Sequence, residues 1–124
     1  MNARLLFGSA ALFNWAATLL FLPVLGLATR LGLAPAPTGT IFEYIALWAI
    51  FAFGLGYWMV GRAPAKWRSV AVLGMASKFG VVAIVVGHYL AGSVNLPFAL
   101  VVGGDVLYAI LFAIYLQSTR KDQA

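Results

Sequence analysis

The sequence contains no cysteine, one histidine (His88) and only three acidic residues. The missing cysteines exclude disulfide frameworks, thiol redox chemistry and cysteine-ligated metals. They also exclude membrane enzymes that reduce quinones through paired cysteines. One histidine leaves no histidine-rich metal site, so neither metal nor cofactor is expected. No Ser–His–Asp set, metal-ligand spacing or phosphate loop is present. Charged residues make up 9% of the chain, against about 25% in soluble domains.

Apolar surface is what the chain has in abundance. Hydrophobic residues are 64% of only 124 positions, and a water-soluble domain of that size leaves much of its surface exposed. The bilayer is therefore the expected solvent. Four apolar runs, about 5–27, 41–60, 67–90 and 96–116, each approach the roughly 20 residues that carry a helix across the hydrocarbon. Strands are excluded, because a lone segment in lipid satisfies its backbone only as a helix. The expectation is an all-α, polytopic four-transmembrane-helix bundle forming a single domain, 1–124.

Short connections separate the runs. Pro35, Pro37 and Gly39 mark the first, residues 61–66 with Pro64 the second, and residues 91–95 the third. Pro97 suits the first turn of the fourth helix, and Pro23 is expected to kink the first near its exit. Residues 117–124 form a polar tail. The first run is too long for a secretory signal core, and Pro23 interrupts it, so cleavage is not expected.

The basic residues set the topology. Arg62, Lys66 and Arg68 cluster at the second connection, Arg4 lies near the N-terminus, and Arg120 and Lys121 lie in the tail. The first connection has only Arg30 and the third has none. This six-to-one bias predicts both termini in the cytoplasm of a plasma (inner) membrane. The net charge of +5 is thus assigned to topology and anionic lipid, with no nucleic-acid partner.

A few polar residues interrupt the runs at one depth. Lys78 lies eleven positions past Trp67, roughly 16 Å in, and Asp105 nine past Leu96, roughly 13 Å in from the other side. Asn14, nine past Leu5, reaches nearly the same level. A lone charge at that depth costs at least about 2.5–3.5 kcal/mol, so a Lys78–Asp105 contact is predicted, with Asn14 as third partner. Ala71 and Gly74 share the helix face of Lys78, and small residues let helices approach closely. Asp105, Tyr108, Phe112 and Tyr115 form one stripe, which adds Tyr108 to this intramembrane polar site.

A second polar layer is expected at the outer surface, where Glu43 and His88 fall at helix ends and could pair. Tyr57 continues the Glu43 face toward the cytoplasm. Trp15, Trp48, Trp58 and Trp67 read as lipid-facing or interfacial anchors. The glycines around Gly54-Leu55-Gly56 and Gly103-Gly104 read as sites of close helix packing.

The Gly54-Leu55-Gly56-Tyr57-Trp58 segment, the basic second connection, Lys78 and Gly103-Gly104-Asp105 together resemble the small bacterial four-helix inner-membrane proteins grouped as DoxX-like or left uncharacterised. The resemblance covers most of the chain. It implies association with membrane enzymes or stress-related systems, and no defined activity.

Three functions fit these features. The first is a non-enzymatic accessory protein that binds lipid or an amphipathic ligand, or docks on a larger membrane protein or a second copy of itself. The second is a small proton-linked transporter, although such transporters usually carry a first-helix glutamate where this chain has Asn14. The third is a membrane-embedded isomerase acting on an apolar substrate. The Lys78–Asp105 pair serves either as a register clamp or as the site itself.

Overall fold

The structure, a computed structural model, describes residues 1–120; the end of the polar tail, 121–124 with Lys121, lies outside the described residues. Five α-helices are present and no strand among the described residues. They are α1 (Ala3–Leu20), α2 (Leu27–Arg30), α3 (Ile41–Arg62), α4 (Arg68–Leu90) and α5 (Leu96–Ser118). The four long ones are each long and apolar enough to cross a membrane.

The helix starts are written in the local sequence. Asn2, Thr40 and Asn95 stand at the N-caps of α1, α3 and α5, and each side chain accepts an N–H from the first turn. Pro97 lies in the first turn of α5, where its missing N–H costs nothing.

One boundary differs from the sequence expectation. The first helix does not run to residue 27 with a kink at Pro23; it ends at Leu20. Leu22 is extended at φ −68° and ψ 118°, as is typical of a residue before proline, and Pro23–Leu25 forms a 3-10 turn. Gly26 then takes a left-handed φ of 65° and turns the chain into α2. Hydropathy alone does not register this break, because Leu22, Val24, Leu25 and Leu27 keep the run apolar.

The long helices pack up and down. α1 lies mainly against α3 and α4 mainly against α5, and the two pairs meet through narrower α3–α4 and α1–α5 contacts. Every adjacent pair is antiparallel, as shown by Asn14 with Ile50, Lys78 with Asp105, Tyr57 with Gly74 and Phe7 with Phe112.

The core is concentrated at the end that carries the N-terminus, the α3–α4 connection and the end of α5. There Phe7 stacks on Phe112 at 4.6 Å and meets Tyr115 edge-on at 5.3 Å, while Tyr57 meets Phe112 at 5.1 Å. Phe7, Ala10, Ala11, Val60 and Ala71 are fully buried around them. Arg68 fastens the same end: its guanidinium donates to the Leu116 carbonyl and the Thr119 hydroxyl, both at 2.6 Å. That supplies a partner to a carbonyl in the last turn of α5, which the helix itself leaves free.

Glycines seat aromatic rings between the helices. A β-carbon at Gly54, Gly74 or Gly104 would overlap the rings of Trp15, Tyr57 and Phe13 respectively. Gly103 is different, since it is exposed and has open space around it.

Candidate functional site

α4 buries only three residues, Ala71, Gly74 and Lys78, at spacings of three and four. This is the face predicted from the sequence. The two small residues bring α4 close to its neighbours, and one turn further on the lysine is held among all three other long helices.

Its ammonium lies 2.6 Å from Asp105 Oδ1 on α5 and donates to Asn14 Oδ1 on α1 at 3.2 Å. Asn14 is oriented in turn by its own amide, which donates to the Ile50 carbonyl on α3 at 3.0 Å. The predicted trio of Asn14, Lys78 and Asp105 is therefore assembled, and it ties four helices at one level. Lys78 is 3% exposed and Asp105 19%, so the lysine is enclosed while the carboxylate keeps an open side.

Aromatic rings surround the rest of the ammonium. The centroids of Phe13, Tyr57 and Tyr108 lie 5.2, 5.3 and 5.7 Å from Lys78 Nζ. Each ring face offers a cation partial compensation for lost water. Tyr108, named from the stripe on α5, thus joins the site through its ring. Phe13 and Tyr57, which the sequence pattern does not place at this site, contribute in the same way. The Tyr57 hydroxyl is turned aside and donates to the Gly74 carbonyl at 3.4 Å.

Above the trio, toward the end opposite the core, the two helix pairs separate around a cavity of about 530 Å³. Asn14, Lys78 and Asp105 form its floor, and its walls are almost wholly apolar, with Ala17, Phe21, Leu47, Ile50, Val85 and Val102 among them. Pockets that hold small molecules usually span about 300–1,000 Å³ and combine apolar walls with a few fixed polar groups. This cavity has that size and that division of labour. Tyr108 is not part of its wall, whereas Tyr57 and Glu43 are.

The second polar layer is not built as a pair. Glu43 turns back on its own helix start, accepting from the backbone of Thr38, Gly39 and Thr40, with Gly39 at 2.6 Å. Thr40 returns the contact by accepting the Glu43 N–H, which completes a capping box. His88 instead contacts the Ser93 hydroxyl at 2.9 Å within its own helix end. Local partners a few residues away satisfied both groups at lower entropic cost than a contact across the bundle. The shared face of Glu43 and Tyr57 does hold, since both line the cavity.

Asn95 is the residue whose role the sequence concealed. Besides capping α5 through Phe98 N–H, its Oδ1 accepts from Ala34 N–H at 3.1 Å and its Nδ2 donates to the Gly32 carbonyl at 2.7 Å. A backbone bond from Asn95 N–H to the Ala34 carbonyl adds a third tie. The connection after α1 is thereby pinned to the start of α5. Phe21 and Phe98, 5.3 Å apart, close the same seam below it. The capping role was legible from Asn-Leu-Pro; the distant partners were not.

The tryptophans divide. Trp48 and Trp58 are exposed, as anchors should be, but Trp15 packs over Gly54 and donates to the Phe51 carbonyl at 3.3 Å, and Trp67 packs against the core.

The chain matches no protein-family model, and no curated protein or solved structure is significantly similar to it.

Proposed function

We propose that this chain is a multi-pass protein of a bacterial inner membrane, with both termini cytoplasmic, that binds a lipid or other amphipathic molecule without transforming it. The observation that carries the reading is the cavity of about 530 Å³ with apolar walls and an ion pair in its floor. Four apolar helices and the bias of basic residues toward one end support the membrane placement. The bacterial assignment and the accessory role rest on the resemblance to DoxX-like proteins.

An apolar cavity open toward the lipid would fill with a lipid tail by default, so specificity has to come from the floor. The Lys78–Asp105 pair supplies a polar contact at a depth where a bilayer offers none. A ligand with one polar group and an apolar body matches both parts.

The transporter reading ranks second. Asp105 and Glu43 face the same cavity, which places two carboxylates along one path. Against it, the hydrogen bonds of the Glu43 carboxylate among the described residues all go to Thr38, Gly39 and Thr40 at its own helix start, a poor arrangement for a proton carrier. The isomerase reading needs a free proton-transfer group in the cavity beside the pair; Tyr108 does not line the cavity, and the Tyr57 hydroxyl is committed to Gly74.

The test is to purify the protein in mild detergent, extract it with organic solvent and identify released lipids by mass spectrometry. The reading expects a near-stoichiometric amphiphile, reduced in Val102→Phe, which fills the cavity from α5. A wild-type protein that releases nothing, and that no amphiphile stabilises, would refute it.

A further inference from the structure

The Asp105 carboxylate uses only one of its oxygens. Oδ1 receives Lys78, whereas Oδ2 takes no hydrogen bond among the described residues, and Asp105 faces the cavity. Lys78 is already engaged by two oxygens and roofed by three rings. The strongest unspent group on the cavity floor is therefore an acceptor. Ser77 also lines the cavity, but a hydroxyl gives or takes and does not change that preference.

Charge narrows the choice further. The floor is neutral overall, because one ammonium faces one carboxylate at 2.6 Å. An anionic head group would be repelled by Asp105. A cationic one would compete with Lys78 and leave an uncompensated positive charge in an apolar enclosure. A carbonyl-only ligand would find its acceptor facing another acceptor. A neutral hydroxyl fits, since it donates to Oδ2 and brings no charge.

The walls indicate how such a molecule gets in. On the α1–α5 side, the Phe21–Phe98 contact and the Asn95 ties close the seam. On the other side, Ala46 and Ala49 of α3 and Val81 of α4 line the cavity and are exposed. Exposed lining residues on both helices point to a window between α3 and α4, above the point where Gly74 and Tyr57 bring these helices together.

Building on the amphiphile-binding reading, we propose that the site takes a neutral, hydroxyl-headed amphiphile, such as an isoprenoid alcohol, which slides in from the bilayer between α3 and α4 and donates its hydroxyl to Asp105 Oδ2. The apolar body then fills the cavity, and its far end extends toward the window.

The experiment uses farnesol, farnesyl methyl ether and farnesoic acid, which share a chain and differ in the head. Binding to the full-length protein in detergent is read from ligand-dependent melting. Farnesol should bind at least about tenfold more tightly than either analogue, the loss expected when a hydrogen bond to a charged group is removed. Ala49→Trp, a change on an exposed position that leaves the floor intact, should slow uptake of radiolabelled farnesol from vesicles several-fold while the ligand-free melting temperature stays put. Ether or acid binding as tightly as farnesol overturns the hydroxyl assignment, and wild-type uptake in Ala49→Trp overturns the window. If no amphiphile of any head group binds the wild-type protein, the underlying reading fails as well.

Discussion

Lys78 and Asp105 meet at 2.6 Å from neighbouring antiparallel helices, twenty-seven residues apart in the chain. The contact fixes the register of α4 against α5, and Asn14 extends it to α1. On the proposed reading, stability and ligand binding draw on the same atoms. A pair retained only for register could be exchanged for well-packed apolar residues, which is often neutral or favourable.

That exchange is the first prediction. Lys78→Met and Asp105→Leu should each lower stability by about 3–5 kcal/mol, because each leaves one charge buried alone. The double variant should recover most of the loss, and denaturation in detergent followed by circular dichroism reads all three. A double variant no more stable than the worse single would show that the pair does not act as a unit. A recovered double variant that has also lost farnesol binding would separate the clamp from the site.

Two neighbouring glycines should behave oppositely. Gly104→Ala pushes a methyl into the Phe13 ring beside Lys78 and should cost about 1–3 kcal/mol, as overpacking does. Gly103→Ala meets open space and should be neutral or slightly stabilising. Equal effects in a melting comparison would contradict the helix face assigned here to α5.

Asn95→Ala removes a helix cap and two side-chain ties to the connection after α1. A loss of about 1–2 kcal/mol is expected from the cap. Limited proteolysis should also cut faster near Gly32–Ala34 than it does in the wild-type protein. Asn95→Asp keeps the acceptor toward Phe98 and Ala34 but loses the donor toward Gly32, so its cleavage rate should fall between the two.

Glu43 and His88 should be energetically independent. Each closes a local contact, so Glu43→Gln and His88→Gln should add in the double variant when melting temperatures are compared. Non-additivity would restore a pairing across the bundle.

How much of this could be read beforehand follows from the range of each interaction. Depth along a helix is a count of residues, so the common level of Asn14, Lys78 and Asp105 was legible, as was the Ala71–Gly74–Lys78 face. The capping box is visible too, in Thr40 followed three places on by Glu43, and it competes with the pairing open to Glu43 and His88. A carboxylate that can reach its own helix start does so before it reaches a neighbour. The end of α1 at Leu20 escaped because an apolar run says nothing of backbone angles, and the signal lay in Pro23 and Gly26. The cavity and the ring cage of Phe13 and Tyr57 depend on how helix pairs diverge, which no single segment encodes.

The one-sided placement of the core has a consequence for how the protein moves. Rings stacked around Phe7 and Phe112 make one half of the bundle stiff, while the half around the cavity rests on the seam at Asn95 and on few interlocked side chains. Backbone amides of Phe7–Ala11 and Phe112–Leu116 should therefore exchange with deuterium last, and those of α3 and α4 beside the cavity first. A bound molecule would act on the loose half alone, slowing exchange there and leaving the stacked end unchanged. On the proposed reading, the bundle would act as a fixed base with two arms, and occupancy would register as the stiffness of the arms.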